Sequence, residues 1–194
     1  MFLIIVNTKD KIMTIEQIGN IIGVIAVCEG LLIYLTAKRD NILFFKFISD
    51  ILWALNHLFL SAYTGAFLCT TGMFREIVFY NRDRRRWASY RIWLYVFLML
   101  NMISPILEWT KNGFSFIPLL PAVGSMIAVI GFYSRNPRLT QWLALIVHTL
   151  WGLYALLIAN YPSFFSNIIA LVSAIIGITR VIIAKRREKL QAKQ

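Results

Sequence analysis

IGNIIGVIAVCEGLLIYL, the run from Ile18 to Leu35, contains a single charged side chain, Glu29. It is longer than the apolar core of a signal peptide, about 7–15 residues, and no small-x-small cleavage site follows it, so it reads as a retained helix. Crossing a hydrocarbon core of about 30 Å takes about 20 mostly apolar residues. Extended to its polar flanks, the run gives a first span from Ile15 to Thr36. Six more stretches qualify: Ile42 to Ala62, Thr64 to Tyr80, Tyr90 to Trp109, Phe116 to Tyr133, Thr140 to Ala159, and Pro162 to Ala184. None alternates polar and apolar residues as a barrel strand does. Because lipid offers the backbone no hydrogen-bond partner, each is predicted to be an α-helix.

Composition agrees with that class. Of 194 residues, 59% are hydrophobic and 15% charged, against about 25% charged in an ordinary soluble domain, and the mean hydropathy is +0.67. A net charge of +11 would suggest a nucleic-acid partner in a soluble chain. Here the basic residues lie in short breaks between apolar runs, where membrane insertion places them, and no nucleic-acid partner is expected. Cys28 and Cys69 both fall inside apolar segments without a C-x-x-C or a His/Cys cluster, so neither a disulfide framework nor a metal site is implied. No cofactor is expected.

The breaks also predict orientation. Lys38 and Arg39, then Arg82, Arg84, Arg85, Arg86 and Arg91, then Arg135 and Arg138, then Lys185, Arg186, Arg187, Lys189 and Lys193 occupy every second break and the tail. The other breaks hold Lys9, Lys11 and Lys111. Basic residues stay in the cytoplasm, so seven spans put the N-terminus outside and the C-terminus inside.

An internal repeat is visible. Asp50-Ile-Leu-Trp53-Ala-Leu aligns with His148-Thr-Leu-Trp151-Gly-Leu, and the same offset pairs Tyr63 with Tyr161 and Phe67 with Phe165. Gly23 and Gly30 match Gly124 and Gly131 once three loop residues are dropped. The weight rests on the Trp, Tyr and Gly coincidences. The expected fold is therefore an all-α integral membrane protein of seven transmembrane helices in a 3+1+3 arrangement. Residues 1–14 form an external segment, 15–80 the first three-helix repeat, 81–109 a basic loop and linker helix, 116–184 the second repeat, and 185–194 a basic tail. An odd linker helix lets both triplets enter the membrane in the same direction, as parallel repeats.

Three segments carry a family resemblance: Leu120-Pro121-Ala-Val-Gly124-Ser, the stretch from Ser134-Arg135-Asn136-Pro137 to Trp151-Gly152, and Arg75-Glu76-Ile-Val-Phe79-Tyr80 after Gly65-Ala66. Over roughly Ile15 to Arg180 the chain resembles the YgjV-type bacterial inner-membrane proteins, which implies the bacterial cytoplasmic membrane. In hydropathy and repeat layout it is similar to the wider group of SWEET, PQ-loop and PnuC-like transporters. It has no Pro-Gln pair and no proline before Pro105, so the hinge prolines of SWEET proteins are missing from its first triplet. Members of the YgjV-type group tend to begin with the first span, which makes Met13 an alternative start.

Ionisable residues inside spans carry the functional expectation, because each costs several kcal/mol in hydrocarbon unless it meets a partner or water. Lys46, Asp50, Trp53 and His57 recur at helical spacing on one face of the second helix. Asp50 and His148 occupy equivalent repeat positions, as do Trp53 and Trp151. Two readings are open. In one, these residues line a solute or ion pathway with Arg75, Glu76 and Asn167. In the other, Lys46 neutralises Asp50 one turn away, or Asp50 bonds His148 as interhelical glue. Neighbours in sequence, Arg75 and Glu76 are expected to project apart, leaving Glu29 as the partner for Arg75, with snorkelling to the cytoplasmic surface as the alternative. Arg180, near the tail, is expected to snorkel.

Remaining features have packing explanations. Gly19, Gly23, Ala26 and Gly30 form one small-residue stripe, and Ser166, Ala170, Ala174 and Gly177 another, as close helix contact requires. Pro118 and Pro121 are expected to free backbone carbonyls in the fifth helix. Trp87, Trp93, Trp109 and Trp142 lie near span ends as interface anchors. No G-x-S-x-G, H-E-x-x-H or acid pair appears, and Glu108 and His57 stand alone, so an enzyme is not expected. The function predicted is transport or facilitated passage of an unidentified small polar solute. A structural or regulatory membrane subunit is the alternative, and a homodimer is compatible with either.

Overall fold

The computed structural model describes residues 14–34, 39–134 and 136–191. Lys9, Lys11, Met13, Lys38, Arg135 and Lys193 lie outside them, as does the side chain of Arg180. The described residues form seven α-helices and one 3-10 turn, with no strand: α1 (Ile15–Tyr34), α2 (Arg39–Phe59), α3 (Tyr63–Asn81), the 3-10 turn Arg86–Ser89, α4 (Ile92–Asn112), α5 (Leu119–Tyr133), α6 (Pro137–Leu157) and α7 (Tyr161–Gln191). By length and composition, Ile92–Thr110, Leu139–Leu157 and Tyr161–Thr179 are each long and apolar enough to cross a membrane, and Leu119–Tyr133 is a shorter apolar helix.

Local chemistry sets the helix ends. Thr14 Oγ1 accepts from the Gln17 N–H at 3.2 Å while Gln17 Oε1 accepts from the Thr14 N–H at 3.0 Å, a reciprocal capping box that starts α1. α2 stops at Phe59, short of Ala62, because Ser61 turns left-handed (φ 57°) and the Ala62 N–H reaches back to the His57 carbonyl at 2.8 Å. α6 ends in the same way at Ala159 (φ 54°), with the Asn160 N–H donating to the Ala155 carbonyl at 2.8 Å.

Proline placement corrects the expectation for α5. Pro118 caps this helix and Pro121 lies in its first turn, where the N–H groups have no intrahelical partner in any case, so no carbonyl is released. Pro105 instead sits inside α4. α7 runs on through the basic tail to Gln191. At 1.5 Å per residue it is about 46 Å long, more than the hydrocarbon core needs.

Six helices close a ring. α2 packs between α1 and α3, α6 packs between α5 and α7, and the two triplets meet where α1 touches α7 and α3 touches α5. α4 stands outside, against α3 and α5. There Val78, Phe79, Ala88, Phe97 and Val129 bury one another, with Trp93 and Phe132 packed around them. Elsewhere the usual distribution is inverted. Val24, Phe44, Met99 and Leu157 are exposed, while Asp50, Asn56, His57, Arg75, Glu76 and Asn160 are buried. A surface of that kind suits lipid, which competes for no hydrogen bonds, and the polar groups turn inward toward one another.

Candidate functional site

A cavity of about 300 Å³ occupies the middle of the ring, lined from all six ring helices and not from α4. Val27 and Gly30 reach it from α1, and Lys46, Ser49, Asp50, Trp53 and His57 from α2. α3 contributes Leu68, Cys69, Gly72 and Arg75, and α5 contributes Ser125, Ala128, Gly131 and Phe132. Thr140, Leu143, Ala144, Val147, His148 and Trp151 of α6 and Ser163, Ser166, Asn167, Ile169 and Ala170 of α7 complete the wall. One face of α2 thus supplies the four residues whose helical spacing singled them out.

The cavity's far end is sealed by amides. Asn160 Nδ2 donates to Asn56 Oδ1 at 2.6 Å, and Asn56 Nδ2 donates to the Gly19 carbonyl at 2.8 Å. His57 Nδ1 lies 3.1 Å from both Asn56 Oδ1 and Asn160 Nδ2. Asn56 and Asn160 are 0% exposed and His57 1%, so this layer closes the end where α2 turns into α3 and α6 into α7. The His57 ring faces Trp53, Trp151 and Tyr154, with centroids 5.8–6.4 Å apart. It fits only because Gly65 has no side chain: a Cβ there would come within 1.9 Å of His57 Cδ2. The Tyr154 hydroxyl accepts from the Gly65 N–H at 3.2 Å, tying α6 to α3 across the ring.

Charge concentrates about two to three turns from that seal. Lys46 pairs with Asp50, and Arg75 Nη2 lies 3.8 Å from the other oxygen of Asp50. Arg75 also donates to Glu76 Oε1 from Nε at 3.1 Å and from Nη2 at 2.8 Å, with its guanidinium 5.0 Å above the Phe132 ring. This corrects the sequence expectation on three counts. Arg75 and Glu76 do pair, because a long flexible guanidinium folds back over the 100° that separates neighbours on a helix. Glu29 is not the partner of Arg75. Snorkelling is excluded, since Arg75 is 6% exposed. Gly72 makes the Asp50 contact possible, as a Cβ on it would stand 2.5 Å from Asp50 Oδ2.

His148 does not touch Asp50. Its Nδ1 lies 3.0 Å from Asn167 Oδ1, and Asn167 Nδ2 donates to the Ser163 carbonyl at 2.9 Å, which makes Oδ1 the acceptor and leaves the His148 lone pair on Nε2. Glue between Asp50 and His148 is therefore absent, whereas the Lys46–Asp50 neutralisation is present. Glu76 is 1% exposed and sits behind Arg75. Glu29 lies near Lys46, Asp50 and the Ser49 hydroxyl, with both carboxylate oxygens buried and without a well-formed hydrogen bond.

The small-residue stripes divide. Gly19 and Gly23 pack against α2, whereas Gly30 has open space beside it and borders the cavity with Ser166 and Ala170. Trp87 and Trp142 are exposed, and the Trp93 and Trp109 indoles donate to the carbonyls of Trp87 and Ser115. Glu108 accepts from Thr64 and Asn112, bracing α3 against α4. Sequence reading missed Asn56, Asn160, Ser125 and Ser163, since an isolated amide or hydroxyl gives no periodic signal.

Neither a curated protein nor a solved structure matches this chain. The model of one family does, over residues 17–185, almost the whole of the ring and its outer helix, and by that match the chain belongs to the Imp-YgjV family of bacterial inner membrane proteins.

Proposed function

We propose that this protein passes a small polar solute across the bacterial inner membrane through the cavity inside its helical ring, without catalysing a reaction. The observation that carries the reading is the cavity itself. Polar side chains from both triplets face a space of about 300 Å³, and a protein whose interior served packing alone would fill that space with apolar side chains. A merely structural subunit gains nothing from it.

All seven helices are taken as spans, in a 3+1+3 order with α4 as the linker. Support comes from the matched turns after α2 and α6, where the bonds from Leu60 to Asn56, Ser61 to Leu58, Ala62 to His57 and Ala66 to Ala62 recur as Ile158 to Tyr154, Ala159 to Leu156, Asn160 to Ala155 and Phe164 to Asn160. The same exchange of triplets turns the α1–α7 contact into the α5–α3 contact. With the basic breaks in the cytoplasm, the sealed amide layer lies toward the outside and the cavity faces inward. One closed and one reachable end are what alternating access requires.

Purified protein in liposomes provides the test, with osmotic swelling followed for a panel of sugars, amino acids and amines. At least one solute class should enter faster than into protein-free vesicles, and Ala144→Trp, which fills the cavity, should abolish the difference. No gain for any solute would favour the subunit reading.

A further inference from the structure

Among the described residues, the charged cluster does not balance. Glu29, Lys46, Asp50, Arg75 and Glu76 bring three carboxylates and two cations together inside the bundle. Lys46 is taken by Asp50 and Arg75 by Glu76, with Asp50 at 3.8 Å, so Glu29 is left over. Both oxygens of Glu29 are buried without a well-formed hydrogen bond, as are Asp50 Oδ2 and Glu76 Oε2. Asp50 and Glu76 are themselves 4% and 1% exposed. A carboxylate held in that position without a counter-charge is costly, and taking up a proton is the least expensive way to remove the charge.

We propose that Glu29 is a proton-binding site of the cavity's charged cluster, occupied by one exchangeable proton while Lys46 remains on Asp50. The groups that act on Glu29 fit this. From α2 they are Lys46, Asp50 and the hydroxyl of Ser49. α7, the other helix packed on α1, runs parallel to it from the Gly23–Pro162 contact and carries no ionisable side chain from Ile168 to Thr179. Arg75 and Glu76 of α3 act on the cluster through Lys46 and Asp50. Among the described residues, no three His, Cys, Asp or Glu side chains converge to hold a metal ion.

A consequence follows that rests on the transport reading. Lys46, whose side chain is 28% exposed, acts on both Asp50 and Glu29. When N–H groups of a solute replace Lys46 on Asp50 Oδ1, Lys46 is released toward Glu29, whose carboxylic acid then gives its proton to water at the cavity mouth. Filling the cavity and releasing a proton become one event.

Infrared difference spectroscopy of the protein in lipid nanodiscs tests the site without any solute, and so independently of transport. The native protein should show one protonated-carboxyl C=O band at neutral pH that disappears on alkaline titration, and Glu29→Gln should lack it with helical content unchanged. Lys46→Met should enlarge the band, since Asp50 then keeps only Arg75, at 3.8 Å. Absence of the band in the native protein, its persistence in Glu29→Gln, or no increase in Lys46→Met would each overturn the assignment.

Discussion

Ser61 and Ala159 hold the same left-handed backbone conformation, φ 57° and 54°, at the offset that also relates Trp53 to Trp151. Neither is glycine, and a side chain in that region costs about 1–2 kcal/mol. Each therefore marks a turn that the packing of its triplet over-determines.

Ser61→Gly and Ala159→Gly should each stabilise the protein, by about 0.5–1 kcal/mol after the extra flexibility of the unfolded chain is counted. Denaturation in mixed detergent micelles would measure this. Closely similar gains at the two sites are expected of a true structural repeat. A gain at one site and a loss at the other would mean that the turns carry different strain and match only by geometry.

Two glycines on α3 should tolerate no side chain. Gly65→Ala drives a methyl into the His57 ring and Gly72→Ala into Asp50 Oδ2, and overpacking of this kind costs about 1–3 kcal/mol. Gly30→Ala, with open space beside it, should leave the melting temperature nearly unchanged.

Removing Arg75 leaves the buried Glu76 without its cation and Asp50 with Lys46 alone, at a cost of about 3–5 kcal/mol. Folded yield of Arg75→Ala should fall far below that of Arg91→Ala, whose residue is exposed. The double variant Arg75→Met, Glu76→Gln should recover part of the loss, because it removes the orphaned charge along with its partner. Equal yields for the two single variants would take Arg75 out of the interior.

Reporter fusions check orientation. A reporter after Gln194 should be cytoplasmic and one before Ile15 external, as seven spans and the basic breaks require. Both on one side of the membrane would break the odd count.

Much of this architecture was written in periodicities. The spacing of Lys46, Asp50, Trp53 and His57 put one face of α2 inward, because four costly or amphipathic side chains at helical intervals cannot all face lipid. Trp53 and Trp151, equivalent in the sequence alignment, both stand on the cavity wall, one from α2 and one from α6. What escaped was set by atoms that meet across the ring. The Asn56–Asn160 bond joins residues far apart in sequence, and nothing local to either marks it. Arg75 and Glu76 were expected to diverge by their Cβ directions, yet the guanidinium is long enough to fold back, and side-chain reach decided the pairing. Pro121 looked like a helix disruptor until the start of α5 placed it in the first turn.

The central claim is that water reaches the middle of the ring, and cysteine accessibility tests it most directly. In a background with Cys28 and Cys69 replaced, Ala144→Cys and Ser166→Cys place small thiols on the cavity wall, and Val24→Cys places one on the exposed apolar surface. A small charged methanethiosulfonate applied to intact membranes should modify the first two and spare the third, because the reagent needs water to reach the thiolate. Failure to modify either cavity position, in variants that fold normally, would contradict the account and leave the buried charges as structural pairs alone.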